Sequence, residues 1–515
     1  MVKNYHHFLF CYILFLFSIT SSNAQINTNN IEIIRDNYGV PHIFSKTDAE
    51  LAYGLAWAHA EDDFETIQKA YLAGNNLLSK LLGIKGAGAD FLTQFIGSDE
   101  LINDLYESKI SIEYKKILEA YSQGINRFAE LNPDKVLIKE LFPLNPKKLL
   151  KYAQLQLFVS SEGDYWITKI LKNDLKYQVV DQSNNIYSDE ETRGSNVFGF
   201  NSSMTKDGNT YLAINTHQPL DGPVSWYEAH LSSEEGTNIL GALFAGSPHV
   251  LIGANENIAW SHTVNRPDKT DVFALEMHPK FKNKYRVDDN YYDLEEYKAS
   301  IFIKILGIPI KIKRKYYKSI YGPTLKNNSG YYSIRTPSLF EIRAMEQWWR
   351  MGKAKNFTEF YNIIKKNSLP GYNIGYADKN DTIFYISNGL IPKRRDGYDW
   401  KNVVPGNTKK TLWTEMYKTE ELPQVIQPKS GYFYNANHSP FLSTSKNENP
   451  KKDSFSKNMG FETYNNNRST RLYKLIEEKK ELDYNDFKKI KYDNYLPNPL
   501  SYSWMDINAL FDIDP

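Results

Sequence analysis

The 515-residue sequence has one cysteine, and this scarcity narrows the chemistry open to the protein. Cys11 lies in the apolar run near the amino terminus, so the rest of the chain has no thiol. A disulfide framework, a cysteine nucleophile and a cysteine-containing zinc site are therefore excluded for that remainder. Stability must come from burial of a core, which a chain of this length can supply.

The chain also lacks an excess of charge of either sign. It has 62 Lys and Arg residues against 61 Asp and Glu residues, a formal net charge of +1. No strong field therefore attracts it to nucleic acid or to an anionic membrane. We expect neither as a partner once the amino-terminal signal described below has been removed.

The common hydrolase and nucleotide-binding motifs are absent as well. The sequence contains no G-x-S-x-G, G-x-G-x-x-G or H-E-x-x-H. Two S-x-x-K matches, beginning at Ser203 and Ser443, lie in polar, turn-prone stretches. A serine–lysine pair at this spacing needs a helix to bring both side chains to one face, so both matches are interpreted as loops.

The amino terminus has the pattern of a secretory signal. Lys3 precedes twelve apolar or small residues, 8–19, and Ser22-Asn23-Ala24 follows as a small-residue cleavage site. A membrane anchor is the alternative, but a bilayer span needs about 20 apolar residues. The pattern predicts a signal peptide over residues 1–24 and a periplasmic or secreted protein.

Periodicity divides the rest of the chain into a helical part and a strand-rich part. Residues 25–180 show mainly helical spacing of apolar side chains, whereas residues 181–194 are polar and are predicted to form a linker. Short alternating runs predict strands over much of residues 195–515, with helices at 356–366 and 468–491. The pattern predicts an α+β fold.

Gly194 and Ser195 stand between the linker and the first predicted strand. A serine hydroxyl is a weak nucleophile unless a base is held beside it. Cleavage of the Gly194–Ser195 bond would free the α-amino group of Ser195, whose pKa near 8 suits it to act as that base. The small residue, the upstream linker and the downstream strand fit this chemistry, and an ordinary loop serine is the alternative.

Nine stretches resemble the penicillin acylase family of N-terminal nucleophile hydrolases, which includes acyl-homoserine lactone and cephalosporin acylases. In family order they read RDNYGVPHI, YGLAWAHAEDDF, GSNVFGF, DGNTYLAINTHQPL, SWYEAHL, GALFAGSPHVLIGANENIAWSHTV, DVFALEM, GYFYNANHSP and NRSTRLYKLI. The resemblance implies a four-layer αββα fold. It also implies a precursor that cleaves itself into a heterodimer, in which 25–180 is the small segment, 181–194 a spacer and 195–515 the large segment.

The resemblance further implies roles for individual residues. Ser195 matches the nucleophile whose own amine is the base. His217 matches a histidine of the lactone and cephalosporin acylases, with a structural histidine as the alternative. The backbone N–H of Val264 and the side-chain amide of Asn437 match the two donors of an oxyanion hole. Asn435 is the alternative to Asn437.

Four further residues are implied at the edge of the site. Arg468 matches an arginine that orients the substrate or the terminal amine, and the alternative is a surface helix residue. Asp268, Asp271 and Glu448 fall near calcium positions of penicillin acylases, and their hard oxygen ligands suit Ca²⁺. A solvated acidic turn is the alternative. The chemistry requires no cofactor, so calcium would be structural.

The function that the resemblance implies is hydrolysis of a linear amide in a small molecule, through an acyl-enzyme on Ser195. His217 favours acyl amides such as N-acyl-homoserine lactones over the side-chain amides of penicillins and cephalosporins. The sequence stops at Pro515, short of where the family's second segment usually ends. A truncated, inactive secreted binding or scaffold protein is therefore the alternative of another class.

Overall fold

The computed structural model describes residues 26–176, 194–305 and 308–497, and the side chains of 304–309 lie outside that description. In these ranges the chain is a mixed helix-and-sheet protein, which confirms the α and β classes expected from periodicity. The predicted signal peptide and residues 181–193 of the predicted linker lie outside the described residues. The division into two segments therefore stays a prediction.

Helices dominate the first described range. The longest, α1, begins at a capping box in which Thr47 and Glu50 each bind the other's backbone N–H. None of the described helices combines the length and the apolar character needed to cross a membrane. The α-helices are α1 (Asp48–Gly74), α2 (Leu78–Leu82), α3 (Ala87–Phe95), α4 (Ser98–Lys109), α5 (Ile112–Leu131), α6 (Pro146–Ser160), α7 (Gly163–Lys172), α8 (Ala344–Met351), α9 (Phe357–Ile364), α10 (Asn467–Glu477) and α11 (Tyr484–Lys491).

Strands begin with a short amino-terminal hairpin and then occupy much of the chain after residue 194. They are β1 (Glu32–Arg35), β2 (Pro41–Ser45), β3 (Ser195–Phe200), β4 (Tyr211–Thr216), β5 (Tyr227–Ser233), β6 (Asn238–Leu243), β7 (Ile252–Asn255), β8 (Ile258–Thr263), β9 (Asp271–Ala274), β10 (Glu276–Met277), β11 (Lys284–Val287), β12 (Asn290–Asp293), β13 (Glu295–Ile305), β14 (Ile308–Ser319), β15 (Gly322–Lys326), β16 (Tyr331–Arg335), β17 (Gly371–Asp378), β18 (Ile383–Gly389), β19 (Val403–Pro405), β20 (Gln424–Ile426) and β21 (Tyr432–Asn435).

These strands form four sheets in the described ranges. The largest has the order β1-β2-β5-β6-β7-β8-β17-β18-β20, and a small one has the order β21-β3-β4. The other two have the orders β13-β14-β15-β16-β9-β19 and β10-β11-β12. The stretch predicted to be helical over 468–491 contains two separate helices, α10 and α11, because the side chain of Asp483 caps the start of α11.

The nine-stranded sheet is buried on both faces where β17 and β18 lie. Successive side chains of a strand point to opposite faces. On β17 and β18, Ile374 and Phe384 pack in a core shared with α1 and α5. Their neighbours Ala377, Ile383 and Tyr385 belong to a second core, shared with the small sheet. The sheet therefore separates the helices from the small sheet.

The small sheet packs closely on β17. A Cβ atom added to Gly375 would lie 2.5 Å from Val197 Cγ2 and 2.9 Å from a ring carbon of Phe433, so only glycine permits this approach. On the outer side of the small sheet, Phe198 packs with Phe487 of α11 and with side chains of α10. The order across this region is helices, large sheet, small sheet, helices.

Candidate active site

Strand pairing brings distant parts of the chain together at the first residue of β3. Ser195 is the register partner of Thr216, the last residue of β4, so His217 lies beside the start of β3. On the other side, β21 pairs with β3, and Asn437 lies two residues beyond the end of β21. Ser195, His217 and Asn437 lie close together because β21, β3 and β4 are neighbours in one sheet.

Ser195 is buried, with 2% of its surface exposed, and each of its polar groups is hydrogen-bonded. Its backbone N–H donates to Asn437 Oδ1 at 2.5 Å, and its Oγ donates to the carbonyl oxygen of Gly194 at 2.7 Å. Its own carbonyl oxygen accepts from Arg468 Nη1 at 3.0 Å. These are the contacts of an uncut chain, in which Gly194 and Ser195 share a peptide bond.

The carbonyl of Gly194 is held by donors and its Cα is crowded. Besides Ser195 Oγ, its oxygen accepts the backbone N–H of His217 at 3.0 Å. A Cβ atom built on Gly194 would lie 2.7 Å from Arg468 Nη2 and 3.2 Å from His217 Nδ1. The residue before Ser195 must therefore be glycine for the neighbouring side chains to keep their positions.

His217 lies next to this peptide bond and is partly buried. Burial lowers the pKa of its imidazole, and the positive charge of Arg468 lowers it further. The ring is therefore neutral at pH 7, in the state that can accept a proton or a hydrogen bond.

Asn437 joins Ser195 to the residue predicted to supply the other oxyanion donor. Its backbone is in the left-handed region at φ 61°, which asparagine adopts more readily than most residues. Its Nδ2 donates to the carbonyl oxygen of Val264 at 2.9 Å. An amide nitrogen has two hydrogens, so one stays free to stabilise an oxyanion.

Arg468 lies in the first turn of α10, half-buried, and contacts the start of β3. Its Nη1 donates to Asn196 Oδ1 at 2.6 Å as well as to Ser195 O, and its Nη2 donates to Asn437 Oδ1 at 2.9 Å. Burial lowers the pKa of the guanidinium, which nevertheless stays charged at neutral pH. It is the cation nearest to the Ser195 backbone among these contacts.

A buried polar network supports this arrangement, and sequence reasoning missed most of it. Asn435 Oδ1 accepts from Asn437 N at 2.9 Å, from Thr263 Oγ1 at 2.6 Å and from Asn373 Nδ2 at 3.1 Å. Tyr385 OH accepts a hydrogen bond from Asn435 Nδ2 at 3.1 Å and donates one to Asn373 Oδ1 at 2.8 Å. Asn435 therefore contacts Asn437, which in turn contacts Ser195, and Asn435 itself makes no hydrogen bond to Ser195 among these contacts.

The residues expected near calcium make other contacts. Arg394 donates Nε to Asp271 Oδ2 at 2.9 Å and Nη2 to Asp268 Oδ1 at 3.2 Å, so its guanidinium lies between the two carboxylates. Glu448 accepts the backbone N–H groups of residues 429–430. In the described ranges no group of three or more His, Cys, Asp or Glu side chains is arranged to hold a metal ion. In this arrangement Asp268 and Asp271 pair with Arg394 and not with a metal ion, and calcium binding stays a prediction.

Several curated proteins are similar in sequence to this chain. The acyl-homoserine lactone acylase PvdQ of Pseudomonas syringae pv. syringae is 24% identical over 397 residues, covering 70% of this chain and 51% of that protein. The PvdQ acylase of Pseudomonas fluorescens is 23% identical, covering 73% and 53%. The penicillin G acylase of Escherichia coli is 22% identical, covering 89% and 64%. The chain spans about half the length of the lactone acylases that it matches.

A solved structure and a family pattern match as well. The thermostable penicillin G acylase of Alcaligenes faecalis, in its orthorhombic form, is 21% identical with a TM-score of 0.49, over 57% of this chain and 51% of that one. The pattern of the penicillin amidase family matches residues 30–500, which include every residue assigned above to the site. The chain therefore belongs to the penicillin amidase family.

Proposed function

We propose that this protein is an exported acylase that cleaves itself before Ser195 and then hydrolyses a linear amide through an acyl-enzyme on the same residue. The observation that carries the proposal is the pair of hydrogen bonds on the Gly194 carbonyl oxygen, from Ser195 Oγ and from the His217 backbone N–H. They hold the nucleophile against the bond to be cut and leave a donor where negative charge develops.

Self-cleavage follows as an acyl shift from nitrogen to oxygen. Ser195 Oγ attacks the carbonyl carbon of Gly194, and the oxyanion that forms is stabilised by the N–H of His217. The carbon–nitrogen bond breaks, the hydroxyl proton passes to the departing nitrogen, and an ester joins Gly194 to Ser195 Oγ. Water then hydrolyses the ester, which leaves the carboxylate of Gly194 and restores the hydroxyl of Ser195, whose α-amine became free in the acyl shift.

After cleavage, the same contacts suit the α-amine to act as a base. Asn437 Oδ1, which accepts from Ser195 N in the uncut chain, would accept from the amine. The Arg468 guanidinium at the Ser195 carbonyl disfavours protonation of that amine, since two like charges repel. The free hydrogen of Asn437 Nδ2 and the N–H of Val264 would bind the oxyanion of the substrate amide.

The layer order supports a four-layer αββα arrangement for the catalytic part. Helices α1 and α5 cover the large sheet, and α10 and α11 cover the small sheet that begins with Ser195. The signal pattern of residues 1–24 supports export, and cleavage at Ser195 would give a heterodimer of two segments from one precursor.

The substrate class proposed is N-acyl-homoserine lactones or similar acyl amides. Two relatives named above are acyl-homoserine lactone acylases, and His217 lies beside the nucleophile. Penicillin and cephalosporin side-chain amides are the second candidate, favoured by the relative named penicillin G acylase. An inactive binding or scaffold protein is the candidate of another class, which would show no cleavage at Ser195.

Release of free amine from a substrate panel tests the assignment. The panel contains acyl-homoserine lactones of rising chain length, penicillin G and a glutaryl amide. A buried methylene contributes about 0.8 kcal/mol, so kcat/KM should rise up to about fourfold for each carbon until the pocket is full. We therefore expect a higher kcat/KM for acyl chains of eight carbons or more than for phenylacetyl amides. Faster turnover of penicillin G than of any long-chain lactone would contradict the substrate class.

A further inference from the structure

Two histidines face each other on neighbouring strands, on elements that supply none of the site residues described above. His42 of β2 and His230 of β5 are register partners in a parallel ladder. Their Nδ1 atoms are 3.1 Å apart, and the ring centroids are 5.1 Å apart. Both side chains are partly exposed, with 33% of the His42 side chain accessible. An ion in solution can therefore reach them.

The other nitrogen of His230 has a defined hydrogen-bond partner. Asn238 Nδ2 donates to Glu256 Oε1 at 3.2 Å, which directs its Oδ1 to His230 Nε2 at 2.9 Å. Since Oδ1 can only accept, Nε2 of His230 carries a hydrogen. In the neutral ring, Nδ1 of His230 therefore presents a lone pair to His42.

The side chain of His42 has a longer, electrostatic contact. Its Nε2 faces Asp36 Oδ2 at 3.7 Å, and the other oxygen of Asp36 is bound by the N–H groups of Tyr38 and Val40. The carboxylate favours a hydrogen on Nε2 of His42, so the Nδ1 lone pair of this ring also faces the contact. Two neutral imidazoles with converging lone pairs repel each other unless an electrophile lies between them.

We propose that His42 and His230 chelate one divalent transition-metal ion through their Nδ1 atoms. Two nitrogens at 2.0–2.1 Å from a tetrahedral Zn²⁺ are about 3.4 Å apart, which needs a small movement from 3.1 Å. Asp36 and Asn238 act as outer partners that fix the tautomers, as such groups do in metal sites. Water completes the coordination, because the described ranges hold no group of three His, Cys, Asp or Glu ligands.

The site joins two parts of the fold. The parallel pairing of β2 with β5 connects the amino-terminal hairpin to the rest of the nine-stranded sheet. A metal held by one ligand from each strand binds only when this pairing is intact, so it stabilises the folded chain.

The test is a titration with Zn²⁺ of an untagged, full-length reference protein. This reference protein carries His6→Ala and His7→Ala, so that the two histidines near the amino terminus cannot bind the metal. Calorimetry should give one Zn²⁺ per molecule, whether the chain is intact or cleaved into two segments, and Cu²⁺ should show imidazole nitrogen coupling in its electron paramagnetic resonance spectrum. Both signals should be lost with His42→Ala or His230→Ala. His278→Ala is the matched control. His278 is partly exposed and lies in the connection between β10 and β11, so this variant should bind Zn²⁺ like the reference protein.

A second variant separates a lost ligand from a damaged fold. Asn238→Ala keeps both imidazoles and removes one outer partner, so Zn²⁺ affinity should fall by about 10- to 100-fold. Circular dichroism without metal checks that each variant is folded. No Zn²⁺ binding by the reference protein, binding that persists in folded His42→Ala, or equal loss in His278→Ala would overturn the proposal and leave the contact as a hydrogen bond between two rings.

Discussion

Gly194→Ala is the change whose effect on self-cleavage can be worked out most directly from distances. The new methyl carbon would lie 2.7 Å from Arg468 Nη2 and 3.0 Å from its Cζ, so the guanidinium must move. That group is held by Ser195 O, Asn196 Oδ1 and Asn437 Oδ1 at 2.6–3.0 Å, and moving it disturbs the contacts that hold Ser195. Overpacking of this kind costs about 1–3 kcal/mol.

We therefore expect self-cleavage of Gly194→Ala to be about 5- to 160-fold slower, at 1.36 kcal/mol for each tenfold. The assay is a time course of freshly made precursor on denaturing gels. Gly88→Ala is the matched control, since nothing lies within 4 Å of a Cβ atom there. Adding Arg468→Ala to Gly194→Ala should cost less than the two effects summed, because the clash disappears. Cleavage of Gly194→Ala at the wild-type rate, or an equal delay in Gly88→Ala, would refute the reasoning.

Changes at Asn437, Asn435 and His217 of the site, and at His262 of the core, should each have a distinct effect. Asn437→Ala should lower kcat by about 10²–10³ with little change in KM, measured on the best panel substrate, because it removes an oxyanion donor. Asn435→Ala should lower the unfolding temperature, since it leaves buried donors unpaired. A loss of kcat in Asn435→Ala but not in Asn437→Ala would contradict the assignment of the oxyanion donor to Asn437. His217→Ala should lose turnover yet still cleave itself on gels, because the backbone N–H of residue 217 is kept. Burial lowers the pKa of His262 to about 4 from 6.5, so the native state resists a proton that the unfolded state accepts. The contribution of His262 to the free energy of unfolding should be full above pH 6.5 and fall by up to about 3 kcal/mol towards pH 4, measured by urea unfolding as the difference between the wild type and His262→Gln.

Sequence reasoning reached the start of β3 because its signals are local. Alternating runs predict two successive strands here, and the register of β3 with β4, which residues 201–210 connect, places His217 beside Ser195. The change from helical to alternating periodicity marks Ser195 as the start of the sheet. Both signals lie within a few tens of residues, where periodicity and turn chemistry are informative.

The rest of the site depends on contacts between distant segments, which periodicity does not encode. Asn373 contacts Asn435 across 62 positions, and Arg394 pairs with Asp271 across 123. Without Arg394, the Asp268 and Asp271 pair looks like a set of free carboxylates, which suits a cation. No sequence motif marks Asn373, because the sequence shows neither its burial nor its partners.

The identity of the residue at the new amino terminus tests the central claim most directly. Intact mass spectrometry and amino-terminal sequencing of the purified protein should give two chains, the larger beginning at Ser195. Ser195→Ala should give one uncut chain under the same conditions. A cut at another bond, a single uncut chain in the wild type, or normal cleavage of Ser195→Ala would contradict the account.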